Sequence, residues 1–111
     1  MKLIKPSDVV FADVKLEKDY DCLLENDEIK KYLKRAIGDL QDNAFCGIQI
    51  PKKLVPIVYV KKYGIDNLWK YDLPDGWRLI YSITTLNKVE ILSVILDWFS
   101  HKDYERRFNY G

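Results

Sequence analysis

The spacing of apolar residues along this chain changes period once, near residue 65. Before that point most of it is helical. Val9 to Phe11 reads as a short strand, and Asp13 follows as a helix N-cap, its carboxylate placed to accept a free first-turn N–H. Leu16, Tyr20, Leu23 and Leu24 then recur at helical spacing. Asn26 or Asp27 caps a second helix with the apolar stripe Ile29, Leu33, Ala36, Ile37 and Leu40. Lys30, Lys31, Lys34 and Arg35 fall on its other faces, which is the pattern of a solvated surface. A few polar residues join the two helices, so they are expected to form an antiparallel hairpin. Asp42-Asn43 and Gly47 stop the second helix. Pro51 and Pro56 forbid a central strand in the next segment. Val58 to Tyr63 reads as one or two helical turns, ended by Gly64.

Beyond Gly64 the period becomes two. Asn67 to Leu73 places Trp69, Tyr71 and Leu73 on one face of a strand and Lys70 and Asp72 on the other. Pro74-Asp75-Gly76 is a turn, because proline presets φ and glycine accepts positive φ. Trp77 to Thr84 forms the next strand, Leu86-Asn87-Lys88 turns again, and Val89 to Trp98 is a nearly continuous apolar run suited to a covered central strand. Ser100 to Phe108 closes the chain as a short helix or turn. The expected fold is α+β: an N-terminal helical hairpin packed on an antiparallel sheet of three to four strands. Without a linker or internal repeat, residues 1–111 read as one domain.

Charge narrows the functional classes. The 18 basic and 17 acidic residues leave +1, which excludes a strongly basic nucleic-acid coat. The balance is uneven: residues 1–50 carry 8 basic and 10 acidic groups, and residues 51–111 carry 10 and 7. An anionic ligand therefore meets the second half more readily. One histidine and two cysteines without a C-x-x-C pair do not make a zinc site. The start lacks the apolar core of a secretory leader, and no apolar run approaches bilayer length. These features read as a cytoplasmic protein with no membrane contact, whose two thiols are reduced and buried.

Two places hold candidate chemistry. Alternation puts Arg78, Ile80, Ser82 and Thr84 on one face of their strand and Trp77, Leu79, Tyr81 and Ile83 on the other. Arg78 reads either as a surface ion-pair partner of Asp72 or Asp75, or as a guanidinium aimed at a phosphate. Residues 100–108 gather His101, Lys102, Tyr104, Arg106 and Arg107. That segment reads either as a polar helix docked by Tyr104 and Phe108, or as a cluster of donors and proton carriers at a sheet edge.

The order of elements, with Asn67-Leu68-Trp69-Lys70-Tyr71-Asp72-Leu73, then Gly76-Trp77-Arg78-Leu79-Ile80-Tyr81, then an apolar strand ending in His101-Lys102-Asp103-Tyr104, resembles the RelE/ParE superfamily of type II toxin–antitoxin toxins. The match covers residues 67–104. The resemblance implies a RelE-like messenger-RNA interferase: a small endoribonuclease, independent of metal or cofactor, that cuts mRNA on the ribosome and is neutralised by a cognate antitoxin protein. It makes Arg78 the contact to the scissile phosphate, Lys70 a second cation one strand earlier, and Tyr104 a proton carrier. His101 falls where the family has histidine or arginine. Lys102, Arg106 and Arg107 would then hold RNA.

The chemistry of such a site is definite. A 2′-OH attacking the neighbouring phosphate needs a base, the leaving oxygen needs an acid, and the phosphoryl oxygens need cations. One histidine cannot fill both proton roles in one step, so a tyrosine or lysine must join it. Trp77 and Trp98 read either as core or as platforms for an unpaired base. Near-neutral charge, and an acid at Asp72 where the family has a second lysine, motivate the alternative: a non-nuclease member of the same fold acting by protein binding, as a gyrase-type inhibitor or a decayed toxin. A small structural or regulatory α+β protein is the third reading.

Overall fold

The structure, a computed structural model, describes residues 5–87 and 89–108. In chain order the elements are β1 (Asp8–Phe11), α1 (Val14–Asp21), α2 (Glu28–Asp42), β2 (Ile48–Gln49), α3 (Ile57–Tyr63), β3 (Trp69–Asp72), β4 (Arg78–Thr85), β5 (Ile91–Phe99) and α4 (His101–Phe108). Short 3₁₀ turns occupy Ala44–Cys46, Lys52–Leu54 and Pro74–Gly76. The fold class is α+β, as expected. Lys88, in the turn expected before β5, lies outside the described residues.

The sheet differs from expectation in two respects. It has five strands, ordered β1-β5-β4-β3-β2, and it is mixed. The β3–β4–β5 meander is antiparallel, but β1 runs parallel to β5, pairing Asp8 with Leu92 and Phe11 with Ile95. Parallel pairing needs a long crossover, and here everything between β1 and β5 serves as one. β2 is the other addition. It is a two-residue edge strand on β3, kept short by Pro51.

Each sheet face carries its own apolar layer. Leu79, Tyr81 and Ile95 point to one face, where Leu33, Ala36 and Leu40 of α2 pack with Leu16 and Tyr20 of α1. Leu68, Ile80, Leu96 and Phe99 belong to the opposite layer, covered by Tyr59 of α3 and by Tyr104 and Phe108 of α4. Pairing shifts between Ile80 and Tyr81: Ile80 faces Asp97, while Tyr81 faces Ile95. The extra residue, Leu96, forms a β-bulge. Leu96 joins Ile80 in the α3/α4 layer, and Asp97 lies opposite Ile80 on that same side.

Local chemistry fixes the ends of the elements. Asp13 caps α1 by accepting from Leu16 N–H at 2.8 Å, and Asp27 caps α2 by accepting from Ile29 N–H at 2.9 Å. Gly64 ends α3 in the left-handed region at φ 65°. Tyr81, fully buried, donates to Ala44 C=O at 2.8 Å and accepts from Gly47 N–H at 3.1 Å. A Cβ on Gly47 would stand 2.6 Å from that hydroxyl. This one phenol holds the α2–β2 connection onto the sheet.

Two surface expectations are corrected. Lys30 is 4% exposed, not solvated. Its ammonium donates to Tyr20 C=O at 2.8 Å and lies 3.9 Å from the Tyr20 ring centroid, joining α1 to α2. Cys22 and Cys46 are exposed rather than buried, because one caps the end of α1 and the other ends a 3₁₀ turn. Trp77 and Trp98 pack against the α2-side layer, which favours their core reading.

Candidate functional site

Strand register builds the site. Asp72 in β3 lies directly across from Arg78 in β4, and Arg78 across from Phe99 in β5. Lys70, two residues before Asp72, points to the same face. α4 starts two residues after Phe99 and crosses beneath them, so four predicted residues meet: Lys70, Arg78, His101 and Tyr104.

Asp72 is the hub of the charges. Its Oδ1 lies 3.0 Å from Arg78 Nε and 3.5 Å from Lys70 Nζ. The side chains of Arg78 and Lys70 are 17% and 23% exposed, whereas Asp72 is 49% exposed. Two covered cations therefore converge on one carboxylate at the mouth of the site. The Arg78–Asp72 pair expected from the ion-pair reading is present. It is ionic in character: Nε is buried, and its N–H finds no aligned acceptor. Such an unmatched buried donor is rare and calls for a physical reason.

The rest of the guanidinium is engaged. Nη1 donates to Gly76 C=O at 2.5 Å, and Nη2 lies 3.4 Å from His101 Nδ1. A guanidinium has no acceptor, so Nδ1 presents its lone pair and Nε2 carries the ring proton. Glu105, one turn along α4, accepts a hydrogen bond from that N–H through its carboxylate. Glu105 thus orients the imidazole and fixes its tautomer, leaving the basic nitrogen turned toward Arg78. Sequence reasoning missed Glu105. Its i, i+4 spacing from the sole histidine was the available signal.

Tyr104 is buried beneath the cations. Its ring centroid is 5.0 Å from Arg78 Cζ and 5.8 Å from Lys70 Nζ, so both charges sit over its π-face. It also stacks on Phe108 at 4.5 Å and meets Phe99 edge-on at 5.9 Å. The β3–β4 turn closes the other side. Asp75 and Gly76 both have positive φ, 59° and 78°, and a Cβ on Gly76 would lie 2.9 Å from His101 Cβ. Tyr32 of α2 donates to Asp75 at 3.1 Å, tying the turn to the helical layer.

The three remaining candidates disperse. Lys102 is exposed at the start of α4. Arg106 pairs with Asp103 at 3.7 Å. Arg107 turns away, donating to Tyr59 Oη at 3.0 Å and lying 3.5 Å from Asp97 Oδ2. Tyr59 also donates to Asp97 at 3.3 Å. This triad borders a cavity of about 270 Å³ between α1 and α3. Burial holds the Asp97 carboxyl above its ordinary value, against the pull of Arg107, and burial also raises the Tyr59 phenol. The bulge accounts for it: Asp97 shares the covered side with Leu96.

Among the described residues, no three His, Cys, Asp or Glu side chains gather as a metal-binding set, and no helix is long and apolar enough to cross a membrane. Comparison of the chain with protein-family models, with curated proteins and with solved structures gave no match.

Proposed function

We propose that this chain is a RelE-like endoribonuclease toxin that cleaves mRNA on the ribosome and is held in check by an antitoxin. In this reading α1 and α2 are the family's N-terminal helical hairpin, and the chain works in the cytoplasm. One observation carries the proposal. Arg78, largely covered and with an unmatched Nε–H, converges with Lys70 on a single anion, and His101 Nδ1 lies 3.4 Å from the same guanidinium.

Each group has a role. The scissile phosphate displaces Asp72 and takes Arg78 and Lys70 as partners, which stabilise the charge growing on its oxygens. His101 Nδ1 accepts the 2′-OH proton, and Glu105 steadies the imidazolium that forms. The leaving 5′ oxygen needs a proton, for which the Lys70 ammonium and the Tyr104 phenol beneath it are the two candidates. Lys102 and Arg106 contribute charge along the RNA path. Arg107, engaged with Asp97, serves the fold instead.

The test is induced expression in a bacterial host with mapping of mRNA 5′ ends, wild type beside Arg78→Ala and Tyr104→Phe. New ends inside reading frames, lost in Arg78→Ala, are the expected result. Tyr104→Phe keeps the ring under the cations, so its loss of cleavage assigns the leaving-group proton to the hydroxyl, and its retention assigns it to Lys70. Intact cleavage in Arg78→Ala overturns the proposal. Asp72 on the two cations favours a second reading, a non-nuclease member of the fold that binds protein. Growth arrest without new ends is its signature.

A further inference from the structure

β1 stops short of the strand it pairs with. Its register on β5 ends at Phe11 opposite Ile95, while β5 runs on to Phe99. The cavity of about 270 Å³ adjoins that stretch, bordered by Leu96 and Asp97 of β5, by α1 and α3, and by Arg107 of α4. Among the described residues three carboxylates and three cations border it, which leaves no net charge. Two of the three pairs are satisfied. Lys15 meets Asp19 at 3.1 Å in an exposed i, i+4 pair. Asp13 takes the Leu16 N–H on one oxygen and the Tyr63 hydroxyl, at 2.6 Å, on the other, with Lys62 at 3.6 Å. The third pair is loose. Asp97 Oδ2 has the Tyr59 hydroxyl at 3.3 Å and Arg107 Nη1 at 3.5 Å, both at the outer limit of hydrogen bonding. The one short bond of Arg107, 3.0 Å to Tyr59, also comes from Nη1. Its Nε and Nη2 donors find no acceptor among the described residues. The Asp97 and Arg107 side chains are 28% and 41% exposed, so a solute can reach both.

A carboxylate and a guanidinium side by side select against simple ions. An ammonium drawn to Asp97 is repelled by Arg107, and a carboxylate drawn to Arg107 is repelled by Asp97. A zwitterion whose two charges are equally close together escapes both penalties. Laid antiparallel on the pair, ammonium on Asp97 and carboxylate on Arg107, it closes a ring in which every neighbour has the opposite sign. The Asp97–Arg107 contact need not break. Standard bond lengths and angles put the ammonium nitrogen of a free α-amino acid about 3 Å from its carboxylate oxygens, close to the spacing within the protein pair. A peptide carries those charges at opposite ends and does not match. The rest of the lining is Leu16, Val58, Leu96 and the two tyrosines, which suits an apolar side chain. The cavity is smaller than the roughly 300–1,000 Å³ that drug-sized ligands occupy, so its occupant is small. We infer that this cavity binds a free apolar α-amino acid, its ammonium on Asp97, its carboxylate on the spare donors of Arg107 and its side chain against Leu16, Val58 and Leu96. None of these residues belongs to the Arg78 site, so this inference and the nuclease reading fail separately.

The experiment titrates the full chain with free leucine, isoleucine, valine, methionine and phenylalanine, each to about 10 mM, and follows amide chemical shifts by NMR. Saturable binding of at least one is expected, with shifts centred on α1, α3 and the end of β5. Two analogues of the best binder test the charge pattern: the amine that lacks the carboxylate and the acid that lacks the ammonium. Each should bind about tenfold more weakly or worse, because each loses a charge-assisted contact. Asp97→Asn and Arg107→Lys should each weaken the amino acid by about the same factor. Val58 is 45% exposed, so Val58→Trp is expected to fold while its bulk fills the cavity and removes binding. Circular dichroism checks each variant, and where a charge variant does not fold, the analogues and Val58→Trp decide. No saturable binding by any of the five overturns the inference. Binding that persists in Val58→Trp overturns it too. An amine that binds as well as the amino acid makes this a cation site, and an acid that does so makes it an anion site; either result also overturns the inference.

Discussion

Asp72→Asn isolates the charge relationship at the heart of the proposed site. In the resting protein the carboxylate balances Arg78 at 3.0 Å and Lys70 at 3.5 Å. A phosphate seated on those cations leaves the displaced carboxylate about 5 Å away, where two unit charges repel by roughly 1–2 kcal/mol at an effective dielectric of about 40–80. Asp72 is half exposed, so screening brings the figure to about 1 kcal/mol. Asparagine keeps an acceptor oxygen for the cations and removes only the charge. The expected outcome is roughly fivefold tighter binding of a short 2′-O-methyl RNA, which lacks the nucleophile and is not cut. Fluorescence polarisation reads the affinity across a salt series. The slope of log affinity against log salt should steepen by up to about 0.7, because one more cation is free to meet a phosphate. Weaker or unchanged binding in Asp72→Asn refutes the reasoning, since Asp72 would then order the cations rather than compete for them.

Three other outcomes follow from the same geometry. Tyr81→Phe strands the Ala44 carbonyl and the Gly47 N–H, which should cost about 1–3 kcal/mol and lower Tm by roughly 4–12 °C in calorimetry, with RNA affinity unchanged. Gly76→Ala meets both a positive φ and His101, so Tm should fall and RNA cleavage should drop together as the imidazole shifts. Asp97 has a folded pKa above its unfolded value near 3.8, so the folded state holds the proton more tightly; its contribution is complete below 3.8 and is lost as pH rises through the raised value. Asp97→Asn should therefore show a smaller loss of Tm than wild type over that rise, and parallel curves for the two would exclude the effect.

Local features were legible where one interaction decides the outcome. The caps at Asp13 and Asp27, the stop at Gly64 and the alternating faces of β3 and β4 are each set by neighbours in sequence. The cluster of Lys70, Arg78, His101 and Tyr104 was reachable because a meander brings consecutive strands together. What escaped was set by long-range packing. Nothing near Val9 says that its strand runs parallel to β5, and Lys30 looks like any surface lysine until Tyr20 lies beside it. The β5 bulge is also silent in the pattern, because a run of apolar residues has no alternation to break. Arg107 was assigned to RNA for its type, but the bulge places Asp97 where the arginine meets it first.

The parallel pairing of β1 with β5 ties together strands far apart in sequence. The Ser7 and Ser93 hydroxyls meet at 2.8 Å across 86 positions of sequence. A nascent chain leaving the ribosome from its N-terminus cannot complete the sheet until β5 has emerged, and α4, which carries His101 and Tyr104, emerges later still. Closing so long a loop makes assembly late and comparatively slow. Under the proposed function this order of events delays the activity: each copy stays harmless to the ribosome that makes it until α4 has emerged and the sheet has closed, and a partner already present has that interval in which to engage it.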